Sequence, residues 1–214
     1  MKKIVYIIIL VFSLLVIKED VYQCERIEDS NFQKIERLIK EETVFINNGV
    51  KLEYTTTGSS KDEIRRIYNL LMEDSSLSLY KEKDKIVATN NHLEYNIKAY
   101  IENSLVKVEV IILNKDKNIS TDKMKTLAQK VKNDKFIDER YFFIAKGKII
   151  TREGFNTVIP SNYSGIKHSD YVSINNGDVY KLKFNNGENI NASFVTYDTG
   201  TYVIIGTPVI FLTY

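Results

Sequence analysis

Cysteine is almost absent from this 214-residue chain, and its scarcity removes two classes of protein at once. A single thiol, Cys24, cannot form an internal disulfide, and a zinc site built on several thiolates goes with it. Histidine is nearly as scarce, with only His92 and His168 and no His-x-x-x-His pair to hold a metal. A dominant charge is lacking too: 30 Lys and Arg against 28 Asp and Glu leave a net +2. The pI near 8.4 gives no push toward nucleic acid, whose binders usually carry a basic patch and a domain pI above about 9. No catalytic motif stands out. The expectation is therefore a protein with no catalytic residues, no cofactor, no metal and no nucleic-acid partner.

What is present is an ordinary globular balance, 43% hydrophobic and 27% charged, on a chain long enough for one or two domains with a real core. The first segment, "MKKIVYIIILVFSLLVIKED", sets Lys2 and Lys3 before an apolar run from Ile4 to Ile17. This is the pattern of an export signal. As a helix the run would span roughly 21 Å, short of the roughly 30 Å of a bilayer core. No Ala-x-Ala site follows it, and Gln23 before Cys24 is not the small residue of a lipoprotein site. Residues 1–23 thus read as a signal peptide or an N-terminal anchor, with the lysines inside and the remainder outside the cytoplasm.

Beyond this segment the pattern divides the chain into a first α+β lobe, residues 24–135, and a second, β-rich lobe, residues 136–214. A helix is expected from Ser30, with a Ser30–Gln33 capping box and Phe32, Ile35, Leu38 and Ile39 on one stripe. "INNGVKLEY" reads as a turn followed by a strand carrying Val50, Leu52 and Tyr54. A second helix is expected from Ser60, capped by Ser60 and Glu63, with Ile64, Ile67, Tyr68 and Leu71 facing inward. Short strands at 77–80 and 86–89 lead to two runs of strict alternation, Leu93 to Ile101 and Val106 to Ile112, which read as a half-buried antiparallel hairpin. A third helix near Ser120 shows Met124, Leu127, Ala128 and Val131 at helical spacing. Three apolar stripes and a one-sided sheet satisfy each other in two layers.

The second lobe opens with a strand at Tyr141 to Ala145 and closes with a meander over residues 170–206. A three-residue loop at Asn185–Gly187 pairs Leu182 with Ile190 and Tyr180 with Ala192, with Gly187 at the left-handed bulge position. The same loop length at "INNGD" and "YDTGT" sets Val172 against Tyr180 and Val195 against Val203. The final "TPVIFLTY" is apolar on both phases between Val209 and Leu212, which predicts a last strand buried on both faces at the seam between the lobes. No sequence repeat links the two lobes.

Candidates for chemistry are few. Ser164, His168 and Asp170 lie close in "SGIKHSD", but without a nucleophile-elbow motif they read as loop polarity. His92 reads as a solvated turn residue. The lysines at 115, 117, 123, 125, 130, 132 and 135 offer a surface for anionic partners or a solvated helix face, and Asp116, Asp122 and Asp134 dilute them. The aperiodic stretch 151–169 is the best site candidate: Arg152, Glu153, Asn156, Tyr163 and His168 would contact a partner. The reading favoured over this is an irregular crossover with a strand hidden in it.

Taken together, the export segment, the helix-strand-helix-sheet first half, the β-rich second half and the closing "GTPVIFLTY" resemble the YwmB family of exported bacterial proteins. The likeness covers most of the chain after residue 23, with Gly206-Thr207-Pro208 to Tyr214 its sharpest part. The family's TATA-box-binding-like label implies two α+β lobes of antiparallel sheet covered by helices, and little about DNA. The resemblance implies no catalytic residues. The expectation is an exported, non-enzymatic protein at the outer face of a Gram-positive-type membrane. It would bind an envelope protein or an anionic polymer through a sheet face or the 151–169 segment, with membrane contact through the N-terminal segment. The alternative is a cell-wall- or peptide-directed enzyme whose carboxylates converge only in the fold.

Overall fold

A computed structural model describes residues 29–150 and 165–212. The described residues carry three helices and ten strands in the order α1 (Asn31–Glu42), β1 (Val44–Thr56), α2 (Ser60–Met72), β2 (Ser78–Lys81), β3 (Lys85–Thr89), β4 (Leu93–Glu102), β5 (Leu105–Asn114), α3 (Thr121–Val131), β6 (Phe136–Lys148), β7 (Ile166–Ile174), β8 (Gly177–Phe184), β9 (Asn189–Tyr197) and β10 (Gly200–Thr207). The class is α+β. No helix among the described residues is long and apolar enough to cross a membrane.

All ten strands form one antiparallel sheet in the order β2-β3-β4-β5-β1-β6-β10-β9-β8-β7. Read outward from the centre, each half has the same wiring: a long first strand, β1 or β6, flanked by the last strand of a four-stranded meander. The doubling is invisible in the residues because strands require only alternation, which many sequences satisfy. The helices are traded across the centre. The helix before β1, α1, packs on β1, β6 and β10, while the helix before β6, α3, packs on β1, β5 and β6; α2 covers β2, β3 and β4.

Alternation decides which side chains meet these helices. Val50, Leu52, Tyr54, Val106, Val108, Val110, Ile112, Tyr95 and Ile97 join Ile64, Ile67, Met124 and Ala128 in one core cluster. Phe32, Ile35 and Ile39 of α1 join Ala145, Leu182, Ile190, Ala192, Val203 and Ile205 in a second. Phe143 of β6 touches both.

Several local expectations are corrected. Asn47-Asn48-Gly49 is not a turn; β1 runs straight through it, because Asn48 is buried and hydrogen-bonded to Glu36 and Asn114. The cap of α2 is Ser59, whose side chain accepts from the Asp62 N–H, one residue before the serine expected. The strand at 141–145 extends over 136–148, and a strand does begin inside the 151–169 stretch, at Ile166. Leu182–Ile190 and Tyr180–Ala192 pair as expected, and Gly187 has φ 85°. The flanking hairpins instead have two-residue turns, so Tyr180 faces Tyr171 and Val203 faces Phe194. Finally, no strand follows Pro208 among the described residues: β10 ends at Thr207, and residues 208–212 lie outside the ladder with Val209 exposed. Pro208, whose missing N–H cannot serve a ladder, stands just past the end of β10, and the two halves meet at β1 and β6 instead.

The sheet face opposite the described helices as candidate functional site

The opposite phase of every strand points away from the helices. At the centre of this face Lys51 and Glu53 of β1 stand beside Ile111 and Glu109 of β5 and beside Phe142 and Arg140 of β6. The Lys51 ammonium is 2.6 Å from Glu53 and 3.8 Å from Glu109, and it lies 5.6 Å from the Phe142 ring centroid. Arg140 reaches the other Glu53 oxygen at 3.3 Å. Tyr100 donates its hydroxyl to Glu109 at 2.9 Å, and Lys107 pairs with Glu102 at 3.2 Å.

This order has an electrostatic cause. Partial burial would push the Glu53 carboxyl up, but the hydrogen bond from Lys51 and the charges of Lys51, Lys107 and Arg140 outweigh it and hold the carboxyl below its usual range. Glu53 therefore stays ionised near neutral pH and is a poor proton donor. Burial, then the hydrogen bond to Glu109, pushes the Tyr100 phenol up. Toward the second half the face turns aromatic: Lys146 lies 4.8 Å from the Tyr202 ring centroid and 6.0 Å from that of Tyr197. It meets no carboxylate among the described residues, leaving its ammonium to the rings. The arrangement suits recognition of a partner bearing both charge and planar or apolar groups. It holds no nucleophile beside a base.

Two carboxylates are buried on the helix side, and neither was legible in the sequence. Glu36 of α1 accepts from the Asn48 side chain at 2.5 Å and the Thr121 hydroxyl at 2.6 Å, and pairs with Lys40 at 2.8 Å. Its oxygens also face the Thr121 N–H at the start of α3, where the helix dipole favours an anion. Glu63 of α2 accepts from Tyr54 at 2.6 Å, Arg66 at 2.7 Å and Asn133 at 2.8 Å. Burial pushes this carboxyl up; the bonds from Arg66, Tyr54 and Asn133 overcome it and hold it below the usual range. Burial and the Glu63 carboxylate push the Tyr54 phenol far up. Both networks join elements and are saturated, so they act as structure.

The residues singled out from the sequence are dispersed. His168 lies exposed on the edge strand β7, 2.8 Å from the exposed Asp170, whose carboxyl the bond from His168 holds low. Arg152, Glu153, Asn156, Tyr163 and Ser164 lie outside the described residues. His92 is exposed in the turn before β4 and lines a groove of about 670 Å³ with Lys40, Glu41, Lys115, Asp116 and Lys117, where the signs are mixed. The remaining lysines spread out: Lys125 lies over Tyr141, and Lys132 pairs with Glu139 and covers Phe136. No group of three or more potential ligands to a metal occurs among the described residues. Fold and face together define an α+β protein whose described helices all lie on one face of a ten-stranded antiparallel sheet. No family model matches the chain, and no curated protein matches it significantly.

Proposed function

We propose that this is an exported, non-enzymatic protein of the bacterial cell envelope, YwmB-like in kind, that binds an envelope protein or an anionic polymer through the sheet face opposite the described helices. The observation that carries the reading is the ordered mosaic of Lys51, Glu53, Glu109, Arg140 and Phe142, with Lys146 set between Tyr197 and Tyr202. Pairing charges on a sheet face adds little stability at a surface, whereas pre-ordering them suits recognition. The export signal of residues 2–17 supports the location. The mirrored strand order supports a TATA-box-binding-like pair of lobes.

Cross-linking in intact cells followed by purification tests this. The wild-type chain is expected to capture an envelope component from the outer side of the membrane. The triple variant Lys51→Ala, Arg140→Ala, Lys146→Ala is expected to lose it while keeping its circular dichroism. Equal capture by both chains, or protection of the chain from protease added to protoplasts, would overturn the proposal.

A further inference from the structure

The core cluster beneath α2 and α3 holds two tyrosines that end differently. The Tyr54 hydroxyl donates to Glu63 and accepts from Arg66. Tyr95 of β4 is only 5% exposed, yet its hydroxyl makes no hydrogen bond among the described residues. Every side-chain polar atom sealed from solvent among those residues does have a partner. The Tyr95 hydroxyl therefore opens onto free space, and that space is a cavity of about 480 Å³ that Tyr95 lines. Burial, then the charge of Asp74, pushes the phenol up to about 12, so the hydroxyl stays neutral near pH 7.

The rest of the lining comes from the C-terminal ends of two helices. The last turn of α2 brings Leu70 and Leu71, the loop behind it brings Glu73, Asp74 and Leu77, and the end of α3 brings Leu127, Lys130 and Val131. Leu71, Leu77 and Val131 are buried, and Leu70 and Leu127 are half-buried, so the interior is aliphatic around one hydroxyl. The rim is charged. Glu73 and Lys130 are exposed and make no ion pair among the described residues. Asp74 gives one carboxylate oxygen to Ser76, at 2.9 Å from its N–H and 2.7 Å from its hydroxyl, and leaves the other unengaged. Two carboxylates thus stand against one ammonium. The negative ends of both helix dipoles point the same way, and α2 carries no basic residue in its last turn to answer its own. An apolar interior, a few convergent polar groups and this volume are the make-up of a small-molecule site.

We propose that this cavity binds a small apolar cation, a primary ammonium on an aromatic or branched aliphatic body. The body packs against Leu71, Leu77, Leu127 and Val131. The three N–H donors of the ammonium are matched by the Tyr95 oxygen, the free Asp74 oxygen and the Glu73 carboxylate. The site lies on the helix side and does not rest on the role proposed for the other face.

Isothermal titration calorimetry on the full chain tests this with three probes of one shape: 2-phenylethylammonium, 3-phenylpropionate and 2-phenylethanol. The ammonium is expected to bind with a Kd below about 1 mM, and the anion and the alcohol at least about tenfold more weakly. Tyr95→Phe keeps the ring and removes the oxygen; it should weaken the ammonium about three- to tenfold. Glu73→Gln combined with Asp74→Asn, whose side-chain oxygen can still accept from Ser76, should abolish the preference for the ammonium over the alcohol. Leu127→Trp, at a half-buried position in the wall, should block the cavity and abolish binding with native circular dichroism retained. Failure of the folded wild type to bind the ammonium, or equal binding of the propionate, would overturn the proposal. Unchanged affinity in a natively folded Tyr95→Phe would remove the hydroxyl from the site and overturn the assignment. If Tyr95→Phe does not fold, Leu127→Trp decides: unchanged binding there would place the ligand elsewhere on the chain.

Discussion

The two faces of the sheet are cut from the same strands, yet they solve opposite problems. On the helix side the charges are few, buried and saturated; Glu36 and Glu63 each hold three elements together. On the open side charges are many, half-exposed and paired with their neighbours on the same plane. In β1 the alternation sends Val50, Leu52 and Tyr54 one way and Lys51 and Glu53 the other. The difference teaches that stability and recognition are separated here by a period of two residues, so that neighbouring substitutions should have unrelated consequences.

Removing Glu36 should break this contrast most violently on the helix side. Glu36→Ala leaves the buried Asn48 and Thr121 donors and the Lys40 charge without their acceptor, at a cost of about 3–5 kcal/mol in denaturant unfolding. Ile97→Ala, also fully buried on that side, should cost about 2–5 kcal/mol. Glu188 in the β8–β9 loop accepts the first N–H groups of α1, at 2.8 Å from Asn31 and 3.0 Å from Phe32. Glu188→Ala should lower stability by about 1 kcal/mol, as loss of a helix cap does.

The acid limb of stability sharpens the comparison further. Glu63 is held low in the folded chain, so the unfolded chain takes up its proton first as pH falls. Its contribution is complete above an unfolded carboxylate value of about 4.3 and is lost as pH drops toward the folded value. Glu63→Gln should therefore flatten the fall in melting temperature between about pH 5 and pH 3. On the open side Lys146→Ala should change stability by less than about 0.5 kcal/mol. A loss comparable to that of Glu36→Ala would mean that the open face, too, serves mainly to hold the fold.

The sequence announced the class because alternation and helical spacing are strong, local signals: Leu93 to Ile101, Val106 to Ile112 and the stripes of α2 and α3 lie where they were expected. It misplaced features decided by distant partners. Asn48 looks like a turn residue until Glu36 and Asn114 bury it, and Glu188 looks like a loop acid until α1 arrives. Ser59 and Ser60 are equivalent in sequence; only the geometry of the first turn selects Ser59. Hairpin registers slipped by one where the three-residue loop length of Asn185–Gly187 was extended to the flanking turns. The open-face site was unreadable as a unit because its members come from β1, β5, β6, β9 and β10, and pairing order alone brings them together.

The strand order has a consequence for synthesis. β1 and β6 are neighbours in the middle of the sheet, but each also pairs with the last strand of its own half. While the chain is being made, β1 stands at an open edge after β5 has joined it, until β6 emerges. β6 in turn keeps a free edge until β10, the last strand, is finished. The most central strands are thus the last to lose their exposed backbone, and exposed edges are where chains stick to one another. A nascent chain halted between β6 and β10 should be the species most in need of protection from its own kind.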